Sequence, residues 1–201
     1  MPLLNLADYQ AVYHNRIAWI VGRGKTQYDY ADLAKTTDPV FFINDAVCLE
    51  HLLNPQQASF LVVLDKCMRC WLNQPLKSII VSHQNVMAAP GYTPHPDNKI
   101  IKFWPERGFI TADQMANESK LYVSQGTVCT VLSLVWFMGI RNVKLIGCGG
   151  RNEKRKRAPY DSRIQTLSKS IPGWVYDEIR IKQDALLRHW QMKAEYLGED
   201  F

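Results

Sequence analysis

The sequence predicts an α/β fold: a single Rossmann-like domain with a mostly parallel sheet flanked by helices. Three observations carry this. Short β-rich runs alternate with segments of helical spacing between residues 17 and 147. The runs FLVVL and SIIV are apolar almost without interruption, as strands covered on both faces are. With 201 residues, 47% of them hydrophobic and 11% aromatic, the chain has the size and composition to bury one such core.

The first strand is expected at residues 17–22 (IAWIVG), followed by a glycine turn, RGKTQ, that opens on a short helix over 30–35. A proline introduces the second strand, 39–44 (PVFFIN). DAVCLEHLLN has apolar residues at helical spacing and is closed by Asn54 and Pro55. ASFLVVLD, at 58–65, reads as a third strand, KCMRCWLN as a brief helix, and SIIVSHQ, at 78–84, as a fourth strand. From 85 to 122 the pattern weakens. AAPGYTPHPDNK is rich in proline and glycine, which predicts a loop or lid, and KIIKFWP reads as an edge strand because its proline blocks further pairing. A helix over 128–138 and a strand over 143–147 restore the rhythm, and 174–197 reads as an amphipathic terminal helix.

No apolar run approaches the ~20 residues of a membrane span. The start, MPLLNLADYQ, lacks a basic leader and a long apolar stretch, so a cytoplasmic protein is expected. The cysteine count of five is odd, and Cys129 and Cys148 stand in apolar runs, which points to reduced thiols. Cys67 and Cys70 form a lone CxxC, a weak zinc signal that equally fits two inward residues one helical turn apart. The net charge of +5 is mild but concentrated in RNEKRKR, residues 151–157. That stretch is a solvated loop, a clamp on a pyrophosphate, or a contact to a polyanion such as nucleic acid. No internal repeat is present, and nothing in the sequence speaks to oligomeric state.

Right-handed crossovers bring the carboxyl ends of parallel strands to one edge, where α/β sheets bind ligands. The residues expected there are Gly22, Arg23, Gly24, Lys25 and Thr26, then Asn44 and Asp45, Asp65, Ser82 and His83, and the run from Gly147 to Gly150, Gly149 included. VGRGKT has neither the GxxxxGK[ST] spacing nor the third glycine of GxGxxG. Its two glycines still permit close approach to a phosphate, with Lys25 adding a charge and Thr26 a hydroxyl; a tight turn leaving a strand explains the same residues. Asn44 can read a base or ribose through its amide. Asp45 and Asp65 fit helix N-caps equally well. Ser124, Gln125, Gly126 and Thr127 stand at the mouth of an apolar helix, where the dipole favours an anion and where Ser124 or Thr127 can also cap. Acid–base candidates are few: His83 after a strand, His95 in the loop, and His189, expected to reach back over the same edge. Tyr160 follows the basic loop and can orient a phosphate.

Taken in order, IAWIVGRGKTQYDYADL, FFINDAV, LLNPQQASFLVVLD and SQGTVCTVLSLVWFMGIRNVKLIGCGG resemble the sialyltransferase-like superfamily. That group holds bacterial lipooligosaccharide sialyltransferases, motility-associated flagellin glycosyltransferases and archaeal 6-hydroxymethylpterin diphosphokinase. The first segment is similar to its GxGPSL-type loop, the second to a strand ending in a nucleotide-contacting Asn or Asp, the third to a strand ending in Asp. The last is similar to its Gly-Ser/Thr helix followed by a strand ending G-x-D. Together the segments span about two thirds of the chain.

The resemblance implies a nucleotide-sugar donor as co-substrate, no other cofactor and no metal. It places the donor's phosphates at Gly22, Gly24 and the helix start at 124–127, and its nucleoside on Asn44. His83 or His189 would be the base, and Arg151, Arg155, Arg157 and Tyr160 would face the leaving group. The acceptor would be a glycan or a nucleic-acid base. The chain departs from the family at Arg23, Lys25 and Thr26, where Asn or Ala and Pro-Ser are usual, and at Gly149, where an acid is expected. Two alternatives stand beside this reading: a pterin-type diphosphokinase using ATP and Mg²⁺ with Asp65 as ligand, and a non-catalytic nucleotide- or nucleic-acid-binding module.

Overall fold

Most of the apolar run FLVVL becomes part of a strand buried at every position, Ser59–Val63. A computed structural model describes residues 3–22, 24, 28–64, 75–76, 79–83, 95–124, 126–148 and 173–198. Its strands are β1 (Leu3–Leu4), β2 (Ile17–Val21), β3 (Val40–Ile43), β4 (Ser59–Val63), β5 (Ile79–His83), β6 (Lys99–Glu106), β7 (Lys120–Tyr122), β8 (Asn142–Ile146) and β9 (Lys193–Leu197). The α-helices are α1 (Ala112–Glu118), α2 (Thr127–Phe137) and α3 (Gly173–His189). Among the described residues the sheet runs β1-β6-β5-β4-β3-β2-β8-β9, with β7 beside β6, and every pairing is parallel.

The period of two along each strand divides the core. Ile20, Phe41, Phe60 and Leu145 pack with residues of α2 and α3, whereas Val21, Phe42, Leu61 and Ile146 pack on the opposite face. That second face is closed by Leu33 from the segment Tyr30–Ala34 and by Ala46 and Val47 from Asn44–Leu52. Both segments were expected as helices; both are wound as 3₁₀ helix. Helix α2 is buried at every position but Trp136, as a helix apolar all round must be. It packs over β2, β3 and β4 and against α3 and β7. No helix among the described residues is long and apolar enough to cross a membrane.

Three expectations need correction. KIIKFWP is not an edge: β6 lies between β5 and β1, and its C-terminal residues pair with β7. Pro105 sits opposite Leu121, and the ladder is made by its neighbours, Trp104 N donating to Ser119 O (2.7 Å) and Val123 N to Glu106 O (2.8 Å). The proline therefore occupies a position from which no donor is needed toward β7. Next, 85–122 is not one loop, because its described part holds β6, α1 and β7. Last, the terminal helix does not continue to 197. It ends at His189, Gln191 turns the chain with a left-handed φ of 53°, and Met192 N closes the turn on Leu187 O (2.8 Å). The chain then returns as β9 beside β8.

Candidate functional site

Strand order reverses at β2. The strands β3 to β6 lie successively on one side of it, and β8 and β9 lie on the other. Crossovers leaving in opposite directions open a crevice at the carboxyl ends of the two central strands, the usual ligand position in such sheets. Here those ends are Gly22 and Gly24 after β2, and Gly147 after β8.

The three glycines interlock. Gly22 N donates to Ile146 O and Gly24 N to Gly147 O, each at 2.8 Å, which carries the β2–β8 ladder past the strand ends. A Cβ on Gly22 or Gly24 would stand 2.6 Å from the Gly147 carbonyl oxygen. One on Gly147 would stand 2.6 Å from Gly24 O, and Gly147 has a φ of 63°. Close approach of backbone to backbone therefore requires these glycines, whatever else they admit. A bulky residue at 24 would crowd a phosphate approaching the turn and would also strike Gly147. It cannot separate the two effects.

Asn44 directly follows β3, the strand next to β2, and is buried with a left-handed φ of 55°. Asparagine tolerates that region better than most residues, and such conformations gather at functional sites. The 3₁₀ segment begins at Asn44 with Ile43 as its N-cap, so Asp45 lies inside the first turn and is not the cap.

Helix α2 starts at this same edge, because it precedes β8 and runs antiparallel to it. Its N-cap is Gly126, at a φ of 90°, and among the described residues no side chain caps it. The cap expected from Ser124 or Thr127 is not made. Thr127 is the first helical residue and is buried, and the Ser124 side chain bonds the Cys129 thiol instead. Burial pushes that thiol's pKa up, against the opposing effects of Ser124 and the positive charge of Lys182. A Cβ on Gly126 would meet the Ile179 side chain at 3.0 Å, so α2 sits tightly on α3 at its mouth. One turn along α3, the buried Gln183 donates from Nε2 to Cys148 O (3.1 Å) and accepts from the Tyr196 hydroxyl (3.3 Å), fixing the exit from β8. Cys129 and Cys148 are free thiols, as expected.

The histidines separate. His83 is the last residue of β5 and lies on the carboxyl edge, three strand spacings from β2, or about 14 Å. His189 does not reach this edge. It ends α3 where β9 begins, about 15 Å along the helix from Ile179 at ~1.5 Å per residue. Its ring lies 4.1 Å from that of Phe109, beside Trp190 and Arg141. His95 sits in a turn, where Asp97 N donates to its Nδ1 (3.3 Å).

Of the expected site, Gly22, Gly24, Asn44, Gly126 and Thr127 thus come to one edge, with Ser124 adjoining and His83 farther along it. Arg23, Lys25, Thr26, Asp65, Gln125, Gly149, Arg151, Arg155, Arg157 and Tyr160 lie outside the described residues, as do Cys67 and Cys70, and so does the side chain of Asp45. Lys182 and Gln183 were not singled out from sequence; their positions on a charged helix give no local sign of what they meet. Neither family models nor curated proteins give a match to the chain.

Proposed function

We propose that the chain is a nucleotide-sugar-dependent glycosyltransferase that seats the donor's phosphates in the crevice between β2 and β8, against the start of α2. The observation that carries the reading is the coincidence, at one reversal of strand order, of the glycine ends of β2 and β8 with a helix N-terminus whose N-cap is a glycine, with no side-chain cap among the described residues. In glycosyl transfer, negative charge grows on the departing phosphate, which fixed N–H groups and a helix dipole stabilise without rearrangement. Lys182, whose charge is felt at Cys129, adds a cation near the same helix end. Asn44 offers an amide for the nucleoside, and His83 is the base on the acceptor hydroxyl, which belongs to a glycan or a nucleic-acid component. The likeness of four segments to the sialyltransferase-like group supports the choice of donor.

The test is a thermal-shift panel of CMP-, UDP- and GDP-sugars and ATP, each with Mg²⁺ and with excess EDTA. One nucleotide-sugar at about 100 times its Kd should raise the Tm by about 5–11 °C in both conditions. Stabilisation by ATP alone, and only with Mg²⁺, would replace the transferase by a phosphoryl-transfer enzyme.

A further inference from the structure

Two runs of stacked planar groups converge at the far end of α2. In one, Trp190 stacks on Trp136 (5.3 Å, 16°), and the Arg141 guanidinium lies 5.4 Å over Trp136. In the other, Tyr122 stacks on Phe109 (5.8 Å, 13°), and Phe109 meets the ring of His189 at 4.1 Å. Edge-on contacts of Trp190 with Phe109 and with Tyr122 tie the runs together. Arg141 and His189, their outer members, line one cleft of about 460 Å³, the size of a small-ligand site. We propose that this cleft binds the phosphate group of a small phosphate monoester, with Arg141 and His189 as its anion-binding pair.

Arg141 is held in place before any ligand arrives. Its Nη1 donates to Trp136 O (2.8 Å) and Ile140 O (3.0 Å), at the end of α2. Those bonds leave the Nε and Nη2 donors, a planar fork suited to two oxygens of one oxyanion. Among the described residues neither Arg141 nor His189 meets a carboxylate. Partial desolvation pulls the Arg141 pKa down, while the side chain stays open to solvent and no carboxylate among the described residues pairs with it. Two further polar residues, Thr111 and Gln191, line the same space. Gln191 holds a left-handed backbone just beyond a helix end, where glycine is unstrained, and so keeps an amide at the rim. The cleft is separate from the β2–β8 crevice, at the opposite end of α2.

Titration of the full chain with inorganic phosphate and with glucose 6-phosphate, followed through the Arg141 Nε–H and His189 ring resonances, tests the site. Both sets should move saturably in the millimolar range, and not with chloride at matched ionic strength. Arg141→Lys, which keeps the charge but loses the fork, and His189→Asn, which leaves the carbonyl bonds of Arg141 intact, should each weaken binding about tenfold; Arg141→Lys should also lower the Tm, because it gives up bonds to Trp136 O and Ile140 O, and His189→Asn should not. Motionless resonances, an equal response to chloride, or full affinity in His189→Asn would overturn the assignment. A response to a single-stranded oligonucleotide without one to the monoester would overturn it as well.

Discussion

Gly147→Ala should lower stability by about 3 kcal/mol and the Tm by roughly 6–12 °C. Two costs add at this position. A residue with a Cβ pays about 1–2 kcal/mol for the left-handed backbone that Gly147 adopts at φ 63°. The new methyl would also lie 2.6 Å from Gly24 O, 3.0 Å from Gly24 N and 3.1 Å from Gly22 O, contacts that backbone atoms relieve only by moving. Overpacking of that kind costs about 1–3 kcal/mol. Gly108→Ala is the control, since a Cβ there meets nothing within 4 Å. Calorimetry should show Gly108→Ala within about 0.5 kcal/mol of the parent. Equal losses in the two variants would mean that the β2–β8 ends are not interlocked as described.

That interlock also marks where the sequence was informative. Strands β2, β3 and β4 were legible because they are buried almost throughout, so each is a run of apolar residues between turn signals, and β5 and β8 read as short β-rich runs. Once they are parallel, topology alone brings Gly22, Gly24, Asn44 and the start of α2 to one edge. The margins were less legible. KAEYL of β9 alternates polar and apolar residues over too short a span to break the helical pattern before it, and β7 is only three residues long. The error in the helix end had a functional consequence. With the chain returning as β9 parallel to β8, the end of α3 lies at the amino ends of the strands, so His189 sits beside the start of β9 and away from the crevice. The roles of Lys182 and Gln183 were out of reach for another reason. Gln183 meets a carbonyl of Cys148, far away in sequence, and no local pattern encodes that.

The second large effect concerns catalysis. His83→Ala should reduce nucleotide-sugar turnover at least ~100-fold, the scale on which a general base acts, with little change in Tm. His189→Ala should leave kcat within about twofold, because the helix that bears it delivers it to the other end of the domain. Both are read from initial rates with the donor that stabilises the protein best. The contrast between the variants carries the information, since each removes one imidazole from a chain with the same net charge. A large loss in His189→Ala with none in His83→Ala would move the chemistry away from the carboxyl edge.

The proposed donor site puts a nucleotide-sugar in the β2–β8 crevice with its phosphates at the start of α2. Backbone amide shifts on titrating the best-stabilising nucleotide-sugar test it most directly. Saturable changes are expected to gather at Gly22, Gly24, Asn44, Gly126, Thr127 and Val128. Changes confined to Arg141, His189 and Gln191, or none while the ligand still binds, would contradict it.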